Sequence, residues 1–196
     1  LMKIQTILGE AMPIMWGAAV DTYLTSRGIE LPTTMNVVEG GPGNYGAPTL
    51  FEVDDPLFKG GSAFGACLID PTTLALERPK IVGLSLLSLK ADGTPRVAEG
   101  TGKKFRSVIG AQSGFGVPYG KPSPHLLVAE GVESMLAARQ LLKIEFGIAT
   151  LAAPNMRTLA VPEFVRRVTI AADNDTPGLE AAADLAQRNG ATRNRA

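Results

Sequence analysis

The sequence predicts an α/β protein, with a parallel sheet flanked by helices in the C-terminal half and a smaller α+β unit before it. Three short apolar runs lie at 125–130, 147–153 and 168–173. A segment with helical spacing of apolar residues, 131–146, separates the first two runs, and another, 177–190, follows the third. Strands that are apolar on both faces and alternate with helices are typical of a parallel sheet covered on both sides.

The N-terminal half has weaker and more varied patterns. Residues 13–29 have apolar residues at helical spacing, which predicts a helix with Trp16 on its buried face. The stretch 37–56 is rich in glycine and proline and predicts an irregular connection. Residues 80–98 are two β-prone runs around an Asp-Gly dipeptide at 92–93, which predicts a β-hairpin.

A basic, glycine-rich stretch at 100–121 lies directly before the predicted α/β region. Between Lys80 and Lys121 there are seven lysines and arginines against two acidic residues. We therefore expect a basic N-terminal subdomain at 1–121 and an α/β domain at 122–196.

Composition excludes several classes of protein. Nineteen basic and nineteen acidic residues cancel, so net charge alone does not indicate a nucleic-acid partner. A single cysteine, Cys67, and a single histidine, His125, exclude a disulfide framework and a Cys/His zinc site made by this chain alone. No run is long enough for a membrane span, so we expect no membrane association and a reducing, cytoplasmic location.

Three carboxylates follow strands of the predicted sheet. Glu130 ends the first strand, Asp173 ends the third, and Asp175 lies two residues later. The carboxyl ends of parallel strands meet at one edge of the sheet, so these groups converge there and suit Mg²⁺, which prefers oxygen ligands. In the simpler interpretation, Glu130 is a surface acid and Asp175 or Thr176 caps the following helix.

Two motifs in this order resemble the Toprim domain, which topoisomerases and bacterial-type primases share. The first is a strand ending in Glu130-Gly131, and the second is a strand ending in Asp173-Asn174-Asp175 with Gly178 in the helix that follows. This resemblance covers residues 122–196. The upstream half is similar to the basic N-terminal subdomain of plasmid and phage primases and primase-helicases.

The resemblance implies a DNA primase that transfers nucleotides on single-stranded DNA. Asp173 and Asp175 would bind Mg²⁺ or Mn²⁺, and Glu130 would act as general acid/base or complete the metal site. The metal would hold the triphosphate of an incoming nucleoside triphosphate. The basic stretch would contact phosphates of the nucleotide or the template. The residues expected to make these contacts are Lys103, Lys104 and Arg106.

The chain also departs from the pattern of that family. Bacterial primases commonly have an acidic residue four positions after the motif glutamate, where this chain has Ser134, with Glu133 just before it. A further strand and a zinc-binding module are absent from the sequence, so we expect a catalytic fragment of a longer replication protein that contains a helicase or zinc-binding module. The alternatives are a Toprim nuclease or strand-breaking enzyme, and a catalytically silent nucleic-acid-binding module.

Overall fold

The computed structural model describes residues 2–31, 49–76 and 78–190, which form two four-stranded sheets and five α-helices. The strands are β1 Leu50–Asp54, β2 Ser62–Ile69, β3 Ile81–Leu89, β4 Arg106–Gly110, β5 Val117–Tyr119, β6 His125–Ala129, β7 Phe146–Ala149 and β8 Arg167–Ala171. The helices are α1 Met2–Gly9, α2 Ala19–Thr25, α3 Val132–Leu142, α4 Ala153–Thr158 and α5 Thr176–Arg188, with a short 3₁₀ helix at Pro71–Thr73.

The C-terminal sheet confirms the predicted α/β architecture. Its strand order is β5-β7-β6-β8, and β6 pairs in parallel with both β7 and β8. The short strand β5 runs antiparallel to β7 at one edge. Every residue of β7 is buried, as the two-sided apolar pattern predicts for an inner strand of a covered sheet.

The N-terminal sheet is antiparallel in the order β1-β2-β3-β4 and differs from the sequence prediction in two places. Residues 50–54, predicted to be irregular, form β1, because their apolar side chains are buried against the core. Residues 37–48 of that stretch lie outside the described residues. The predicted hairpin keeps its turn, since the Lys90 N–H donates to the Thr94 carbonyl oxygen and the Arg96 N–H to the Ser88 carbonyl oxygen. Its second run forms isolated bridges at Pro95 and Val97 and no strand, and the longer pairing of β3 is with β4.

The first predicted helix is also shorter than its apolar pattern suggested. Helix α2 begins at Ala19, and the side chain of Trp16 lies before it and is 91% exposed. The prediction that Trp16 is buried was therefore wrong. Tyr23 and Leu24, on the same periodic face, are buried as predicted.

The two sheets share their hydrophobic cores. One cluster joins Phe51 and Leu84 of the N-terminal sheet to Phe146 of the C-terminal sheet. Ile69 at the end of β2 and Gly116 just before β5 exchange two backbone hydrogen bonds of 2.8 and 3.2 Å. The change from one sheet to the other therefore comes between β4 and β5. Among the described helices, none has the length and apolar character needed to cross a bilayer.

Close packing between β1 and β2 generates a stability prediction. A Cβ at Gly65 would overlap the ring of Phe51, which is fully buried. We expect Gly65→Ala to lower the free energy of unfolding by about 1–3 kcal/mol, measured by urea denaturation. The matched control is Gly9→Ala, since a Cβ there meets nothing within 4 Å, and its effect should stay within about 0.5 kcal/mol. Equal effects of the two substitutions would contradict this description of the core.

Candidate active site

The parallel pairing of β6 with β8 determines where the predicted carboxylates lie. Ala129 is the register partner of Ala171, so the two strands end side by side. Glu130 follows β6 directly, and Asp173 comes two residues after β8 ends. Strand β8 therefore ends earlier than predicted, but both residues leave the same carboxyl edge of the sheet.

The Glu130 side chain is half-buried, and neighbouring charges perturb it. Burial raises the pKa of its carboxyl group, and the negative charges of Asp173 and Asp175 raise it further. A hydrogen bond from the Ala153 backbone N–H, at the start of α4, opposes this shift. The Glu130 backbone is held by the segment that follows β7, since the Leu151 N–H donates to the Glu130 carbonyl oxygen at 2.7 Å. The three carboxylates thus interact electrostatically at this edge.

Asp175 is the N-cap of α5, and Oδ1 of its carboxylate accepts a hydrogen bond of 2.8 Å from the Gly178 backbone N–H. Of the two caps that the sequence allowed, Asp175 is the one observed, and Thr176 and Pro177 are the first helical residues. Gly178 is required sterically: a Cβ there would lie 2.7 Å from the Asp173 carbonyl oxygen and 3.0 Å from Asp175 Oδ1.

The donor set at this edge fits a hard divalent cation. Carboxylate oxygens are the ligands that Mg²⁺ prefers, and Mg²⁺ commonly uses only one or two carboxylates and keeps several waters. Within residues 2–31, 49–76 and 78–190, no group of three or more His, Cys, Asp or Glu side chains is close enough to form a complete cage. An ion at this edge would have to keep water molecules among its ligands. Asp173 and Asp175 are exposed, which leaves room for such ligands.

Glu133, three residues after Glu130, is buried among hydrogen-bond donors and cations, whereas Glu130 lies near other carboxylates. Glu133 Oε1 accepts hydrogen bonds from the Tyr23 hydroxyl at 2.7 Å and from Arg106 Nη2 at 2.9 Å. Lys104 Nζ donates in turn to the Tyr23 hydroxyl oxygen at 3.0 Å. Although burial acts to raise it, the pKa of Glu133 is lowered, because the charge of Arg106 and the hydrogen bond from Tyr23 favour the carboxylate. These contacts connect α2 and β4 of the N-terminal half to α3.

Two of the three basic residues predicted from the sequence take part in these contacts, and the third does not. Lys104 and Arg106 reach Tyr23 and Glu133, whereas Lys103 is exposed beside them. Burial lowers the pKa of the Lys104 ammonium, and the charges of Arg27 and Arg106 lower it further, against the opposing effect of Glu133. The Arg27 guanidinium lies over the Tyr23 ring, 5.8 Å from its centre. The charges of Arg106 and Lys104 therefore act on the Glu133 carboxylate, and Arg27 lies on the Tyr23 ring beside them.

Sequence reasoning missed Tyr23, Arg27 and Glu133 as members of this cluster. Tyr23 and Glu133 are separated by 110 residues, and neither lies in a recognisable motif. Their contact depends on how α2 packs against α3, which periodicity does not encode. The acidic residue at 133 was the one available signal.

Replacing either glutamate by glutamine should change the stability of the protein, in opposite directions at Glu130 and at Glu133. Folding raises the pKa of Glu130, so its contribution to stability is present below the ordinary value of 4.5 and is lost as the pH rises through the folded-state value. Folding lowers the pKa of Glu133, so its contribution is present above 4.5 and is lost as the pH falls through the folded-state value. At pH 7, Glu130→Gln should therefore raise the unfolding temperature.

At the same pH, Glu133→Gln should lower the free energy of unfolding by about 1–3 kcal/mol, because it removes a charged partner of Arg106. Both effects should shrink as the pH falls below about 4, where carboxyl groups are protonated. Thermal unfolding from acid to neutral pH measures both, with Glu163→Gln, an exposed residue before β8, as control. Effects of the same sign would contradict the assigned environments.

Comparison with known proteins agrees with the motifs at this edge. Residues 125–194 match the family model of the Toprim domain. No sequence among the curated proteins matches the chain. The primase fragment of the bacteriophage T7 primase-helicase protein is a similar solved structure, with a TM-score of 0.43 and 15% identity over 70% of this chain and 52% of that chain.

A second similar structure is of bacteriophage T7 lagging-strand DNA polymerase interacting with primase domains of two subunits bound to an RNA/DNA hybrid and dTTP. Its matching chain has a TM-score of 0.41 and 16% identity, over 70% of this chain and 64% of that chain. The alignments thus span 52% and 64% of the lengths of these two chains. Glu130 and Asp173 to Asp175 all fall inside the range of this chain, residues 125–194, that matches the Toprim family model.

Proposed function

We propose that this chain carries out divalent-metal-dependent nucleotidyl transfer on single-stranded DNA, as the catalytic part of a DNA primase. The observation that carries the proposal is the β6–β8 register, which brings Glu130 and Asp173 to one edge of a Toprim domain. The perturbed carboxyl of Glu130 supports it, because converging carboxylates are costly unless a cation binds among them.

Each carboxylate has a distinct role in this proposal. Asp173 and Asp175 hold Mg²⁺ or Mn²⁺, which when bound neutralises triphosphate charge. The cap formed by Asp175 uses Oδ1, so the other oxygen of that carboxylate would be the one to hold the ion. Glu130 accepts the proton that a 3′-hydroxyl loses as its oxygen attacks the α-phosphorus. The bond to the pyrophosphate leaving group breaks as the new phosphodiester bond forms.

The cations of the N-terminal half position the substrates. Lys103, Lys104 and Arg106 contact phosphates of the template strand or of the nucleoside triphosphate, which fixes position without reading sequence. Glu133 holds Arg106, and Tyr23 holds Lys104, so two of these cations are pre-ordered. In a longer protein, a helicase or zinc-binding module would deliver the template.

Primer synthesis tests the catalytic proposal directly. The assay contains single-stranded DNA, nucleoside triphosphates and Mg²⁺ or Mn²⁺, and compares the unmodified protein with Asp173→Asn and Glu130→Gln. Loss of a metal ligand or of the general base should lower the rate by about 100-fold or more in each variant. Glu163→Gln makes the same charge change near the opposite end of β8 and should leave the rate unchanged.

Other outcomes of that assay identify the competing functions. Strand cleavage that disappears in the same two variants, without primer synthesis, would indicate a Toprim nuclease instead. DNA binding without any chemistry, unchanged in both variants, would indicate a silent binding module and contradict the proposal.

The salt dependence of DNA binding tests the phosphate contacts separately. Lys103 is the cleanest position, because within the described part of the chain its side chain takes no part in the Tyr23–Glu133 contacts. We expect Lys103→Met to weaken single-stranded DNA binding and to reduce the slope of log K against log salt by about 0.7, the value for one phosphate contact. Lys3→Met, an exposed lysine on α1, is the control. An unchanged slope in Lys103→Met would remove that residue from the interface.

A further inference from the structure

Strand β4 forms one edge of the N-terminal sheet and pairs with β3 alone. Just before β4, the Phe105 carbonyl oxygen accepts a hydrogen bond of 3.0 Å from the Ser88 N–H of β3. Alternate residues of an antiparallel strand bond to the partner, so Ser107 and Ile109 also face β3. The residues whose backbone N–H and C=O groups point away from the sheet are Arg106, Val108 and Gly110.

These outward groups differ from those at the opposite edge of the same sheet. Among the described residues, none forms a hydrogen bond with the backbone of Arg106, Val108 or Gly110 on that side. At the opposite edge, β1 is covered, because Met12 and Glu52 exchange two backbone hydrogen bonds of 2.8 and 2.9 Å. The two end residues of β4 are exposed, and the three between them are half-buried. Strand β4 therefore presents a row of backbone donors and acceptors to which another strand can pair.

The charge beside this edge is positive. No aspartate or glutamate occurs from residue 101 to residue 129, a range that contains β4. The cations grouped around the N-terminal end of β4 are Arg27, Lys103, Lys104 and Arg106. Glu133 offsets one of these charges through its ion pair with Arg106, and Glu99, in the turn before Lys103, offsets a second. The remaining excess of two positive charges favours an acidic partner.

Backbone pairing and charge together select the kind of partner. A second copy of this chain would bring the same excess of positive charge to the edge, which opposes its approach. A nucleic-acid strand supplies negative charge but has no N–H and C=O groups at the spacing of a β-strand. An extended polypeptide has those groups, and strand addition to an exposed sheet edge is a common mode of peptide recognition. Acidic side chains on the polypeptide complete the match.

We propose that β4 binds an extended, acidic polypeptide segment, which adds to the N-terminal sheet as a fifth strand. The backbone of this segment pairs with the outward groups of Arg106, Val108 and Gly110, and its carboxylates face Arg106 and Lys103. The docking itself is independent of the proposed function. Under that function, the segment would also compete with phosphates for the same two cations.

Amide hydrogen exchange, resolved by NMR, locates the added strand. In the protein alone, the Val108 N–H should exchange faster than the N–H groups of Ser107 and Ile109, which face β3. The probe is an octapeptide with blocked ends in which glutamate and threonine alternate. It should bind saturably in isothermal titration calorimetry and slow the exchange at Val108 by about tenfold or more. The same peptide with lysine in place of glutamate should show no saturable binding.

A modified peptide separates strand pairing from attraction between charges. Methylation of alternate backbone nitrogens keeps every carboxylate of the probe but removes the N–H groups of one peptide edge and blocks that edge. The methylated positions are chosen in two peptides, so that each edge is blocked in one of them. At least one of the two should bind about tenfold more weakly than the unmodified probe, because the backbone hydrogen bonds are lost.

The protein offers a matched pair of substitutions at the same edge. In Val108→Pro, the lost N–H is one that points away from β3, so the β3–β4 ladder keeps its hydrogen bonds while the outer edge is blocked. This variant should bind the probe about tenfold more weakly or worse. The control Val108→Thr keeps the N–H and should bind as the unmodified protein does. If Val108→Pro does not fold, the methylated peptides decide the same question.

Three results would contradict the proposed docking. The first is the absence of saturable binding of the octapeptide to the unmodified protein. The second is equal affinity for the octapeptide and for both methylated forms, which would mean that charge alone attracts the peptide. The third is slower exchange at Val108 with oligothymidylate but not with the peptide, which would make this edge a nucleic-acid site. These measurements use no nucleotide or metal ion, so their failure is distinct from a failure of primer synthesis.

Discussion

The parallel pairing of β6 with β8 is the constraint on which the candidate site depends. With Ala129 opposite Ala171, both strands end at one level, and the residues that follow them share an edge. Negative charge therefore accumulates there, and the pKa of Glu130 rises through burial and through the charges of Asp173 and Asp175. A site of this kind gives up some stability in the absence of a cation, which is common where function determines the residues.

Glu133 is also a glutamate, but its carboxylate has hydrogen-bonding and charged partners within the fold. It lies one helical turn from Glu130, yet its carboxylate is bonded to Tyr23 and Arg106 and its pKa is lowered. These contacts join the two halves of the described chain beside the carboxylate edge. Arg106 is held by Glu133 of the C-terminal half, and Lys104 is held by Tyr23 of the N-terminal half. In the proposed function, the contacts that join the two halves therefore also position these two cations for phosphate.

The sequence predicted the features that depend on local pattern. Apolar runs separated by helical periodicity were sufficient for the parallel strands, and their carboxyl ends located Glu130 and Asp173. Features that depend on packing between distant segments were not predictable. Residues 50–54 form a strand because the core covers them, and Trp16 is exposed because α2 starts three residues later. The sequence also left the cap of α5 open between Asp175 and Thr176, and the structure places it at Asp175.

The location of a bound divalent cation tests the central claim most directly. Crystals grown with Mn²⁺ and measured near its absorption edge would give anomalous density wherever the ion binds. The account predicts a peak at the edge formed by Glu130, Asp173 and Asp175, and its loss in Asp173→Asn. Density at other sites with none at this edge, or an identical peak in the variant, would contradict the assignment of these carboxylates to a metal-dependent site.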